Sequence, residues 1–136
     1  MKFRTALTLC VMLSSITACA ERSSDEEQVR AVITGAEEAA EARDASDVLE
    51  FIATDYSDSQ GSDKTRLQNF LRGYFLANPK IELLVSVGEL EFPVPGLAKA
   101  RVGVTSLPAG DRASFRVELR QQDGQWRVAR ADRIRD

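Results

Sequence analysis

The sequence predicts an α+β domain in which N-terminal helices cover one face of an antiparallel sheet. Two observations carry this. Apolar residues recur at helical spacing as far as Pro79 and with a period of two beyond it. Turn signals then divide the second half into four strands, the strongest being Asp123-Gly124. Helices first and a strand meander afterwards separate the two element types along the chain, which is the α+β pattern.

Each element has its own justification. Ser24 with Glu27 three residues later makes a capping-box start. Val29, Val32, Ile33, Ala36 and Ala40 follow at helical spacing, with Glu37, Glu38 and Glu41 on other faces, so a first helix runs from about Asp25 to Ala42. A break at Arg43-Asp44 leads to a short second helix, capped by Asp44 or Ser46, with Val48, Leu49, Phe51 and Ile52 as its apolar face. "TDYSDSQGSD" is a turn-rich loop. A third helix begins near Ser62 or Asp63, carries Leu67, Phe70, Leu71, Tyr74 and Phe75, and stops at Asn78-Pro79, because a residue before proline avoids the helical region.

The first strand alternates Ile81, Leu83, Val85 and Val87 with Glu82, Leu84, Ser86 and Gly88, and "FPVPG" interrupts it. Ala98, Ala100, Val102 and Val104 mark the second strand, and "LPAGD" is a turn. Ala113, Phe115, Val117 and Leu119 mark the third, and Trp126, Val128 and Ile134 the fourth. If the fourth strand stays regular, Arg127 and Arg133 share one face and Arg130 points to the other. Outward positions are rich in Arg and Glu, so one sheet face is wet.

The N-terminus carries a targeting signal. Met1-Lys2-Phe3-Arg4 is a short positive region, followed by an apolar run from Ala6 to Ile16 that is too short to span a bilayer. Ile16-Thr17-Ala18-Cys19 then resembles the bacterial lipoprotein box. That resemblance implies cleavage between Ala18 and Cys19, a diacylglycerol on the Cys19 thiol and an acylated new amine. Several acyl chains make a stable anchor where one is marginal. Ala20, in place of the Asp that signals inner-membrane retention in such lipoproteins, implies the periplasmic face of the outer membrane. Residues 1–18 are thus read as signal peptide, 19–25 as lipidated Cys and polar tether, and 26–134 as one domain.

Composition narrows the chemistry. Cys10 lies in the removed segment, so the mature chain has no disulfide and is held by its core. With no His and no free thiol, the usual transition-metal ligands are absent, and neither a metal nor another cofactor is expected. The mature chain has net charge −5, split into −10 over residues 19–63 and +5 over residues 64–136. A nucleic-acid binder needs a basic domain, so nucleic acid is not an expected partner. Asp55, Ser57 and Ser59 alternate as in a calcium loop, but the sixth and twelfth positions hold Gln60 and Arg66 instead of Gly and an acid.

The element order, with "EEAAEARDASDVLEFIATDYSD", "RLQNFLRGYF" and "VELRQQDGQWRVARAD", resembles the nuclear transport factor 2-like superfamily over about residues 26–134. Its last hairpin commonly reads Gly-x-Trp-x-Val, matched by Gly124, Trp126 and Val128. The resemblance implies a strongly curved sheet wrapped around helices, a cone with a pocket inside. Members include isomerases, dehydratases, cyclases and pure binding or assembly modules, so the fold does not decide function.

Pocket enzymes of that superfamily pair an Asp base with a Tyr, His or second acid. Here His is absent and the first helix lacks Tyr, which weighs against catalysis. The candidates that remain are Asp55 or Asp58 as base and Tyr56 or Tyr74 as donor. Phe51, Phe70, Tyr74, Phe75, Phe115 and Trp126 are the large residues expected to line the cone or fill its core. The leading expectation is a lipid-anchored periplasmic module that binds a small apolar ligand or an envelope protein. The alternatives are an isomerase- or cyclase-type enzyme and a structural subunit that forms a homodimer through its open sheet face.

Overall fold

The structure is a computed structural model that describes residues 24–135. The stretch read as a signal peptide, Cys19 and most of the expected tether lie outside the described residues. Three helices come first: α1 (Asp25–Glu41), α2 (Ala45–Glu50) and α3 (Lys64–Ala77). Four strands follow: β1 (Glu82–Val94), β2 (Leu97–Leu107), β3 (Asp111–Gln122) and β4 (Gln125–Ile134), paired antiparallel in the order β1-β2-β3-β4. The predicted α+β meander is therefore present, with its helices on one face of the sheet. Among the described residues no helix is long and apolar enough to cross a membrane.

Local chemistry sets each helix start. The Ser24 hydroxyl accepts from the Glu27 N–H at 3.2 Å, the Asp44 carboxylate from Asp47 N–H at 3.0 Å, and the Asp63 carboxylate from Arg66 N–H at 2.8 Å. Asp44, not Ser46, is thus the second cap. Arg43 sits at φ 59°, and its guanidinium donates to the Phe75 and Pro79 carbonyls, satisfying the end of α3 from the α1–α2 corner.

Two strand details depart from the sequence expectations. "FPVPG" does not end β1. The strand runs through Phe92 and Val94 to a turn at Pro95-Gly96, kept in the sheet by register shifts between Gly88 and Glu91 and between Glu91 and Val94. Bulges of this kind absorb extra residues and bend the strand. A further bulge in β4 pairs Glu118 with Arg130 but Leu119 with Val128, leaving Ala129 as the extra residue. The parity change puts Arg127 and Arg130 on the outer face and Arg133, opposite Phe115, on the inner one, so Arg127 and Arg133 do not share a face. Asp123 and Gly124 both take positive φ, 52° and 75°, as the expected Asp-Gly hairpin requires.

The main core lies between α1 and the inner sheet face, around Val29, Ile52, Tyr56, Val102, Leu119 and Trp126. A second, smaller core joins Ala39, Val48, Phe75 and Ile81 beneath the helices. Segment 51–57 lies along the outer edge of β4. Phe51 O accepts from Val128 N, Ala53 N donates to Val128 O, and Ser57 N donates to Ala129 O.

Candidate functional site

Small side chains on α1 leave a hollow over the sheet. Ala36 and Ala40 stand opposite Leu83, Val85, Val104 and Phe115, and a cavity of about 260 Å³ opens between them. Its lining is apolar except for one side chain, Glu37. Ile33 and Ala40 also line the cavity, and Glu37 lies four residues after the first and three before the second. The spacing that puts those apolar residues over the sheet puts the carboxylate there too.

The Glu37 carboxyl is held above the usual carboxylate range. Partial burial is the main cause, and the negative charges of Glu41 and Glu38 add to it. The Glu37 carboxylate makes no hydrogen bond or ion pair within the described residues. A carboxylate without a partner beside an apolar wall can accept a hydrogen bond from a ligand, or pair with its positive charge. Sequence reading placed Glu37 on a face other than the apolar one. The signal that would have found it is its i+4 relation to Ile33.

The four candidate acid–base residues lie elsewhere. Tyr56 is buried in the main core, its hydroxyl near Asp58 Oδ2 at 3.4 Å and the Ala131 carbonyl at 3.5 Å. Burial and the neighbouring Asp58 push its phenol up to about 12. Asp58 Oδ1 accepts from Gln60 and Ser62 N–H groups, both at 2.9 Å, and so folds the loop back on itself. Asp55 accepts from Arg120 and Gln122 over the sheet edge. Tyr74 is exposed on α3, stacked on Phe70 with ring centroids 6.0 Å apart. Among them only Tyr56 and Asp58 meet, and none lines the cavity.

The expected aromatic lining is also redistributed. Phe115 faces the cavity. Phe51 and Trp126 line a separate groove between α1, α2 and the β3–β4 turn, and Phe75 fills the smaller core. Phe70 and Tyr74 point outward because α3 buries Leu67, Leu71 and Phe75, one i, i+4 row of the two that the sequence offered.

Polar residues dominate two further surfaces. A wide hollow of about 850 Å³ at the end of β3 and β4 is bounded by Ser59, Gln60, Ser114, Arg112, Arg133 and Arg135. Asp132 is bound there by Ser59 N–H at 2.7 Å and by Arg130. Burial raises its carboxyl, but those two donors outweigh it and the net displacement is downward. The outer sheet face carries Lys99, Arg101, Arg116, Arg120 and Arg127. This is not the apolar face expected of a dimer core.

No protein-family model matches the chain, and no curated protein matches it. Solved structures do. A domain of unknown function with a cystatin-like fold from Nostoc punctiforme superposes with a TM-score of 0.69 at 16% identity, over 85% of this chain and 79% of that one. A protein described as a scytalone dehydratase candidate from Novosphingobium aromaticivorans gives 0.67 at 11% identity, over 79% and 81%. A nuclear transport factor 2-like protein of unknown function from Shewanella oneidensis gives 0.63 at 15%, over 81% and 98%. Identities this low speak for architecture alone. The chain has the nuclear transport factor 2-like, or cystatin-like, α+β cone fold.

Proposed function

We propose that this protein is a lipid-anchored periplasmic binding module whose cone takes a small apolar ligand bearing a hydrogen-bond donor or an amine. The observation that carries the reading is the apolar cavity of about 260 Å³ with Glu37 as its one charged lining residue. Ligand sites are mostly apolar with a few placed polar groups, and this volume falls just below the range of about 300–1,000 Å³ for drug-sized ligands. A small aromatic or branched aliphatic molecule matches it. The anchor part of the reading rests on Cys19 and the sequence around it, and Ala20 favours the outer membrane.

Titration with the neutral dye N-phenyl-naphthylamine tests the cavity. The expected result is saturable binding, abolished by Ala36→Phe in a protein whose circular dichroism is unchanged. Binding that does not saturate, or that survives both Ala36→Phe and Ala40→Leu, overturns it. Replacing the anchoring residue by Cys19→Ser is expected to release the protein from membranes and end labelling by a fatty-acid analogue.

A cone enzyme of isomerase or cyclase type is the second reading, and the observation in its favour is Glu37 rather than the Asp and Tyr candidates. A raised carboxyl pKa suits a general base. The other lining side chains are all apolar, so none of them donates to an oxyanion, and binding accounts for the site better.

A further inference from the structure

Resting on the reading of Cys19 as the lipidated residue, we propose that the tip of the β1–β2 hairpin, Phe92 to Pro95, seats in the interfacial layer of the bilayer that holds the lipid. Cys19 stands five residues before Ser24, the cap of α1. At no more than about 3.6 Å per residue, a tether of that length keeps the start of α1 within roughly 18 Å of the acyl chains. The end of the domain that carries Ser24 therefore faces the membrane.

That end also carries the hairpin tip. Asp25, the first residue of α1, accepts from the Trp126 indole N–H at 3.4 Å. The Trp126 ring in turn meets Phe92 edge-on, with centroids 5.9 Å apart. Beyond Phe92 the chain runs Pro93, Val94, Pro95, all exposed, with Phe92 39% and Val94 54% accessible. Single exposed apolar residues need no explanation, but four in a row at the tip of a turn form a contiguous apolar edge. An aromatic and proline-flanked edge of this kind suits the interfacial zone, where apolar surface leaves water without crossing the hydrocarbon.

Charge near the tip is mixed: Asp25, Glu26 and Glu27 fill the first turn of α1, while Arg120 lies across from Leu97 with Arg127 beside it. The apolar residues of the tip therefore set the contact, and the occupant is the apolar boundary of the bilayer interface. Leu76, 84% accessible, supplies an internal reference. It lies beside Arg43, past the far end of α1, a helix about 25 Å long.

The experiment uses the full chain purified from membranes and reconstituted in phosphatidylcholine vesicles. A nitroxide is placed at Val94→Cys or at Leu76→Cys, and relaxation by oxygen is compared with relaxation by an aqueous nickel chelate. The mature lipidated chain has no other free thiol. The expected result is severalfold protection from nickel with enhanced oxygen access at position 94, and aqueous behaviour at position 76. Water-like values at both positions, or equal protection at both, overturn the seating while the anchor stands. A mass spectrum of the membrane protein without lipid on Cys19 removes the anchor, and the inference with it.

Discussion

Gly35 lets α1 approach α2, and replacing it gives a measurable sign change. A Cβ built on Gly35 would stand 2.5 Å from Phe51 Cζ and 2.7 Å from Cε1. Carbon pairs prefer about 3.5–4.0 Å, so the ring must move by about 1 Å. The Phe51 backbone is held in place, its carbonyl accepting from Val128 N–H at 2.8 Å, so relief must come from rotating the ring or shifting α1. Overpacking of this size costs about 1–3 kcal/mol, while Ala gains about 1 kcal/mol over Gly in a helix interior. Gly35→Ala should therefore lower stability by about 0–2 kcal/mol in the wild type. In a Phe51→Leu background the clash is gone, and the same change should raise stability by up to about 1 kcal/mol. Urea denaturation of the four proteins, with unchanged m-values, yields the coupling. A coupling within about 0.5 kcal/mol of zero would refute the idea that this contact sets the α1–α2 spacing.

Further outcomes can be checked on the same protein. Leu119 is fully buried in the main core, and Leu119→Ala should cost about 2–5 kcal/mol by urea denaturation, more than any surface Leu such as Leu84. Tyr56 has a folded-state pKa raised from 10.0 to about 12, so the unfolded chain loses its proton first and stability falls as pH rises from 10 to 12. The loss is on the order of 2 kcal/mol and should be missing from Tyr56→Phe. The raised carboxyl of Glu37 makes its ionisation unfavourable to folding, so its contribution is fully present in acid and lost as pH rises through the folded pKa. Glu37→Gln should therefore unfold at higher temperature than wild type at pH 7, with the difference vanishing in acid.

Much of the architecture was written in local chemistry. Ser24, Asp44 and Asp63 cap helices because each offers an oxygen to an orphan N–H, and that choice is made within three residues. Asp123-Gly124 marks its turn just as locally, because both positions must take positive φ and these two residues tolerate it. What the sequence hid depends on distant partners. The α3 helix offered two apolar rows, and only contact with α2 and Ile81 decided that Phe75 goes in while Phe70 and Tyr74 stay out. Ala129 is an ordinary strand residue until the partner strand leaves it over, which is why the inversion of Arg133 could not be read. Glu37 was hidden by its chemistry, because a carboxylate in an acidic helix is expected to face water.

The two edges of the sheet are closed by different means. At β4, segment 51–57 takes up main-chain groups of Val128 and Ala129 that would otherwise lie bare. At the free edge of β1 no strand lies alongside among the described residues. Its defences are its bulges, the prolines at 93 and 95, Glu82, Glu89 and Glu91, and Glu41, which accepts from the Leu83 N–H. Each of these spoils the flat row of donors and acceptors that templates strand addition. Anchored proteins are concentrated on a surface and meet at high frequency in fixed orientations. Under the proposed anchoring, an open β1 edge would seed polymers there, and its bulges, prolines and charges keep neighbouring copies from zipping together.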